Sequence, residues 1–168
     1  MPNAHRLIRT VTVGSGGAAS IEFTSIPGMY TDLLLVSSLR SVNVANDLAM
    51  TLAFNGSTSN FTSRYIYGNS PASTAIAGSN GYYHGNVNGP GSTASVFTST
   101  SLYVPNYSGS TNKSYSVDNT MENNSTTSYP FFVSGLWSVT NAITSITITN
   151  ASNFAQYSSA TLYGISRN

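Results

Sequence analysis

The chain has 168 residues, of which six are basic and five acidic, and its net charge is +1. Soluble domains average about 25% charged residues, whereas Ser, Thr and Asn, 67 residues together, supply most of the polarity here. Six basic residues are too few for a phosphate-binding face, so nucleic acid is not an expected partner. The absence of cysteine excludes disulfides, Cys-ligated zinc and thiol nucleophiles.

The hydrophobic runs of the chain are short. The longest extends from Leu33 to Val36, far below the roughly 20 residues of a membrane helix. Arg6 and Arg9 are followed by glycines rather than by the hydrophobic core of a signal peptide. We therefore expect no membrane association, no signal peptide and synthesis in the cytoplasm.

Residues 1–19 differ in composition from the rest and form a predicted N-terminal arm. They hold two of the five arginines and a GSGG segment that favours flexibility. Such an arm is either a disordered tail or, through the alternation in RTVTV, a short strand that contacts a neighbouring molecule. The candidate contact residues are Arg6, Leu7, Ile8, Arg9, Val11 and Val13.

Residues 20–168 repeatedly alternate apolar and polar side chains, as half-buried strands do. The near-continuous apolar stretch in TDLLLVSSLRS predicts a strand covered on both faces. Asn55-Gly56, directly after an alternating segment, predicts a β-hairpin. Its return strand would place Phe61, Tyr65 and Tyr67 on one face.

Glycines and prolines interrupt the segment from Asn69 to Gly91, which predicts a long loop with one short strand near Tyr82 and Tyr83. Alternation resumes beyond it, for a total of eight or nine strands, and no segment has a sustained helical period. Strands spaced in this way predict an all-β domain over residues 20–168. We expect a two-sheet antiparallel sandwich with a jelly-roll-like fold.

Few residues suit catalysis or metal binding. Asp118 and Glu122 are the best candidate pair for a glycosidase, and with the neighbouring asparagines for a calcium loop. The simpler interpretation is that Asp118 and Glu122 are solvated acids in a loop. His84 lacks the G-x-S-x-G context of a hydrolase nucleophile, which favours an ordinary loop residue. We expect no enzyme, no metal and no cofactor.

Tyrosine is abundant, with 11 residues, and it combines with Ser, Gly and Asn as in antibody paratopes. Tyr82, Tyr83, Tyr103 and Tyr107 are therefore candidate recognition residues. The alternative is that these tyrosines cap the core of the sandwich and extend their hydroxyls to water.

Exposed strand edges are usually protected by charge, above all by lysine. This chain has one lysine, Lys113, in a predicted turn. Without charge protection the edges need a neighbour, which predicts a homo-oligomer or a component of a larger assembly.

Four segments resemble small virion proteins of tailed bacteriophages, including phages of cyanobacteria and marine bacteria. They are IEFTSIPGMYTDLLLVSSLRS, FNGSTSNFTSRYIYG, VPNYSGSTNKSYSVDNTMENN and NFAQYSSATLYGI. The similarity lies in strand and turn sequences over most of residues 20–165, without a catalytic motif. It implies a jelly-roll-like structural protein of the virion.

The expected function is that of a capsid cement or decoration protein, which stabilises neighbouring capsid subunits by non-covalent contacts. Its partners would be the major capsid protein or other virion proteins. The alternative is a tail or fibre component that binds glycans of the host surface. Low charge suits the first role, because neutral contacts are less sensitive to salt than ion pairs.

Overall fold

The structure, a computed structural model, describes residues 5–69, 72–74, 83–124 and 128–166. Among these residues no helix could cross a membrane. The described chain forms twelve strands: β1 (His5–Thr12), β2 (Ala18–Phe23), β3 (Asp32–Leu39), β4 (Asp47–Phe54), β5 (Phe61–Asn69), β6 (Ala72–Thr74), β7 (Tyr83–Asn88), β8 (Thr98–Val104), β9 (Lys113–Met121), β10 (Tyr129–Trp137), β11 (Ile146–Phe154) and β12 (Ser159–Ile165).

The strands form two antiparallel sheets of unequal width, which confirms the predicted all-β sandwich. The large sheet has eight strands in the order β1-β12-β3-β8-β9-β10-β5-β6, and the small sheet has the order β2-β11-β4-β7. A jelly roll has eight strands, whereas this sandwich has twelve in its described part. Successive strands from β2 to β5 alternate between the sheets, so each connection leads from one sheet to the other.

The core lies between the two inner faces, where the alternation seen in the sequence places the apolar side chains. At the end of the core nearest the start of β5, four rings pack together with centroids 5.3 to 6.1 Å apart. Edge-to-face geometry of this kind adds to the energy of area burial. The four residues are Phe54, Phe61, Tyr115 and Trp137.

The Tyr115 ring lies directly over Gly135, its register partner on β10. A Cβ atom at position 135 would overlap this ring. The glycine therefore leaves the space into which the tyrosine packs.

The predicted arm is part of the sandwich. β1 pairs antiparallel with β12 of the same chain, with a bulge between Leu7 and Arg9, and Val13 is buried in the core. The strand in RTVTV is confirmed, and the disordered-tail alternative is wrong for residues 5–19.

The predicted hairpin at Asn55-Gly56 is wrong, although the turn itself is present with positive φ at both residues. β4 pairs with β11 and β7, whereas β5 pairs with β10 in the other sheet. The Asn55 side chain donates to the Ala142 carbonyl at 2.8 Å and accepts from the Thr144 amide at 2.8 Å. The turn thus ties β4 to the loop before β11 and does not return the chain beside β4.

The prediction that β3 is covered on both faces is also wrong. Leu33, Leu35 and Leu39 are buried, but Val36 is 42% exposed on the other face. The outer face of the large sheet is therefore open at its centre.

Lys113 lies at the start of β9, so its predicted position in a turn is wrong, and its side chain is fully buried. Its ammonium donates to the carbonyls of Gly109 at 2.7 Å, Thr140 at 3.1 Å and Thr111. Burial lowers its pKa. This lysine therefore holds loops together.

Replacing Gly135 by Ala should lower the free energy of unfolding by about 1–3 kcal/mol, because the new methyl group displaces the Tyr115 ring. Urea denaturation measures the change. Gly14→Ala is the matched control, since a Cβ atom there meets nothing within 4 Å. Equal stability of the two variants would contradict the packing argument.

His84 is fully buried on β7, so its interpretation as a loop residue is wrong. Burial lowers its pKa from 6.5 to about 4. Between these values the unfolded state binds a proton that the folded state does not. The free energy of unfolding should therefore decrease as the pH is lowered, by about 2 kcal/mol from pH 7 to pH 5.

Urea denaturation at the two pH values tests this dependence. His84→Leu should flatten it, while His5→Leu, at an exposed position on β1, should leave it intact. A pH dependence that survives in His84→Leu would assign the effect to other groups.

Candidate functional site

A groove lies between the ends of the two sheets and has a volume of about 300 Å³. Strands β5 and β10 of the large sheet form its aromatic side, and strands β4 and β7 of the small sheet form the opposite side. We call it the aromatic groove, and it is lined by Tyr65, Tyr67, Tyr129, Phe131, Asp47, Ala49 and Asn86.

The four aromatic side chains contact one another in a chain of rings. Tyr67 lies 5.4 Å from Phe131 and 5.7 Å from Tyr129, measured between centroids, and Tyr65 lies 6.2 Å from Tyr67. The three tyrosines are half-buried, whereas Phe131 is buried. The rings thus form a continuous, partly exposed aromatic wall.

The opposite side of the groove is polar. The Asn86 side chain donates to Oδ2 of Asp47 at 2.7 Å, which orients both groups. Burial raises the pKa of the Tyr129 hydroxyl, and the Asp47 carboxylate and Tyr67 raise it further. Tyr129 therefore keeps its proton at neutral pH and can donate a hydrogen bond.

Asn119, buried on β9, fixes the backbone of Asn86. Its amide oxygen accepts from the Asn86 N–H at 3.1 Å, and its amide nitrogen donates to the Asn86 carbonyl at 3.0 Å and to Thr100 Oγ1 at 2.7 Å. The side chain bonds β7 as a neighbouring strand would. Gly85 permits this approach, because it has φ +95° and a Cβ atom there would lie 2.6 Å from Asn119 Cγ.

A second surface lies on the outer face of the large sheet, around a cavity of about 540 Å³. Phe132 and Ile66 are register partners and are 50% and 56% exposed, and Leu136 is also exposed. We call Ile66, Phe132 and Leu136, with the adjacent Asp118, the outer patch.

The structure separates the predicted contact residues of the arm. Val13 is buried in the core, so as a contact to a neighbour it is wrong. Ile8 and Val11 are partly buried and pack against the core of their own chain, and their contact with a neighbour stays a prediction. Alternation turns Val11 and Val13 towards the core, and Ile8 lies at the bulge between Leu7 and Arg9. The side chains of Arg6, Leu7 and Arg9 are exposed.

Of the four candidate tyrosines, Tyr103 and Tyr107 lie in different places. Tyr107 is fully buried, with its hydroxyl donating to the Pro27 carbonyl, because the loop after β8 folds back onto the core. Tyr103 lies on the outer face and donates to Asp32 Oδ2 at 2.9 Å. Tyr83 begins β7, which confirms the predicted strand, and Tyr82 lies outside the described residues.

The candidate acids lie in different settings. Asp118 is exposed on the outer face. Glu122 follows β9 and accepts from the backbone amides of Asn123 at 3.1 Å and Asn124 at 2.8 Å, and these contacts lower its pKa. In the described parts of the chain, no group of three or more His, Asp and Glu side chains could hold a metal ion.

Sequence reasoning did not identify the aromatic groove. The shared face of Tyr65 and Tyr67 was visible in the sequence, and alternation also puts Tyr129 and Phe131 on one face. Their meeting depends on the pairing of β5 with β10, which are more than sixty residues apart in the chain.

Replacing Asn119 by Leu should lower the free energy of unfolding by about 2–4 kcal/mol. The substitution keeps the volume but removes the partners of the Asn86 backbone, and each lost buried partner costs about 1–3 kcal/mol. Urea denaturation measures the loss, with Asn112→Leu at an exposed loop position as the control. A loss no larger than that of the control would show that Asn119 does not hold β7.

Comparisons with known proteins place the chain in no family. No family model matches it, and no curated protein matches it. Among solved structures, an exo-inulinase from Aspergillus awamori is similar at 16% identity, with a TM-score of 0.45. The similarity covers 98% of this chain, which spans 29% of the length of that enzyme chain.

Proposed function

We propose that this chain is a structural protein of a tailed-bacteriophage virion, bound to the capsid as a cement or decoration protein. It would stabilise neighbouring capsid subunits through the outer face of its large sheet. The exposed outer patch, on a sheet face that carries few charges, is the observation that carries the proposal. The resemblance of four of its segments to small virion proteins supplies the context.

The outer face suits a contact based on shape and apolar burial. On β5, β8, β9 and β10, Arg64 and Asp118 are the charged residues that face outwards, and many of the others are Ser or Thr. Phe132 and Ile66 stand above this hydroxyl-rich surface. Burying them against a subunit would gain roughly 25 cal/mol per Å² of apolar area, with little dependence on salt.

A sheet face is a better docking element here than the β1 edge. Arg6 and Arg9 lie on that edge strand together with a bulge, and both features protect edges from strand addition. The proposed partner is therefore a capsid subunit that packs on the outer patch. Association of this chain with itself stays a prediction.

The proposed role is not enzymatic. Glu122, one of the two acids considered for a hydrolase, closes the turn after β9. Asp118 lies within the surface proposed for docking.

The double substitution Ile66→Ser and Phe132→Ser should reduce the number of copies on purified virions by at least about tenfold, since the apolar anchors of the contact are lost. Quantitative gel analysis of virions made with the variant gene measures this. Val44→Ser, at an exposed residue in the loop before β4, is the control and should leave occupancy unchanged. Full occupancy by the double variant, folded as judged by its melting curve, would refute this docking face.

The aromatic groove favours a second candidate, a tail or fibre component that binds host-surface glycans. The position of the chain in a cryo-EM map of the virion separates the two candidates. Density on the shell supports the cement role, and density on the tail or a fibre supports the second candidate.

A further inference from the structure

We propose that the aromatic groove binds a neutral saccharide, which stacks on the Tyr67 ring and hydrogen-bonds to the Asp47–Asn86 pair. This inference deepens the glycan-binding candidate by naming the site and the chemistry of its ligand. It does not depend on the docking of the outer patch to a capsid.

The aromatic wall provides the stacking surface. The face of an aromatic ring carries partial negative charge, which attracts the weakly positive C–H groups on the face of a pyranose. Ring contacts to Phe131 and Tyr129 hold Tyr67 in place. The half-buried tyrosines thus keep exposed area in an orientation that is already fixed before a ligand arrives.

The polar side provides the hydrogen bonds that a sugar needs. Oδ2 of Asp47 accepts from Asn86 at 2.7 Å, and the second carboxylate oxygen can accept from a sugar hydroxyl. Tyr129 and Asp47 line the same groove, so a hydroxyl donor and a carboxylate acceptor are available to one ligand. A few oriented polar groups in an otherwise apolar cleft are typical of small-molecule sites.

Charge selects among ligands. Of the described residues that line the groove, Asp47 alone is charged. A carboxylate without a basic partner in the lining repels phosphate, sulfate and nucleic acid, and it does not repel a neutral polyol. The volume of about 300 Å³ lies at the lower end of small-molecule sites, roughly 300–1,000 Å³, which suits one or two sugar rings.

The site is also rigid. All its side chains stand on strands, and Asn119 fixes the β7 backbone at Asn86 through two hydrogen bonds. Preorganised groups lose little freedom on binding. Such a site can bind a ligand with low affinity without a loop closing over it.

Titration of the ¹⁵N-labelled full chain tests the proposal, with amide NMR shifts as the readout. The probes are the methyl glycosides of glucose, galactose, mannose and N-acetylglucosamine, together with maltose and cellobiose. We expect at least one probe to give saturable shifts at Tyr67 and Asn86, with millimolar affinity. Absence of saturable shifts with all probes would overturn the proposal.

Two groove variants and one control locate the binding. Tyr67→Ala should weaken binding at least about tenfold, which corresponds to about 1.4 kcal/mol. Asp47→Asn keeps the side-chain size and the acceptor for Asn86, so it should fold normally, and it should weaken binding several-fold. Tyr163→Ala, at a half-buried tyrosine on the outer face, should bind as the wild type does.

Wild-type affinity in both groove variants would place the saccharide elsewhere and overturn the assignment. The Ile66→Ser, Phe132→Ser protein should bind saccharide normally, so loss of virion occupancy in that variant tests only the docking proposal. If Tyr67→Ala instead lowers virion occupancy while no probe gives shifts, the groove contacts a virion protein, and the saccharide proposal is wrong.

Discussion

Burial of the inner face of an eight-stranded sheet by a four-stranded one is the constraint on which the rest of this structure depends. The small sheet ends at β7, which packs close to β8, β9 and β10. β5 lies one strand further out in the large sheet. Near its start, Phe61 is enclosed among Phe54 and Trp137, whereas Tyr65 and Tyr67 further along remain half-buried. The aromatic groove is the space left where one sheet extends past the other.

A domain with so few charges still has to satisfy the backbone groups of its long loops. Lys113 does so with its ammonium, and Arg40 does so with a guanidinium that donates to the carbonyls of Gly89 at 2.9 Å, Thr93 at 3.0 Å and Val96 at 2.7 Å. Asn119 satisfies both backbone groups of one β7 residue. Several of the most polar side chains are therefore structural, and the surface is left mainly to hydroxyls and amides.

Alternation in the sequence predicted the strands and most of the buried side chains, because period two depends only on local geometry. It also paired Tyr65 with Tyr67 correctly. It did not predict which strands become neighbours. Asn55-Gly56 has the residues of a hairpin, but its flanking strands belong to different sheets. The groove requires β5 beside β10 and β7 beside β4, and these long-range pairings leave no mark in any single segment.

On β10, Phe131 lines the groove while the next residue, Phe132, belongs to the outer patch. β5 repeats this division: Tyr67, the register partner of Phe131, lines the groove, and Ile66, the partner of Phe132, belongs to the outer patch. A single inserted or deleted residue in either strand would exchange its two sets of side chains, since successive residues point to opposite sides. Point substitutions can change the groove and the outer patch separately. An insertion or deletion in β5 or β10 would disrupt both surfaces at once.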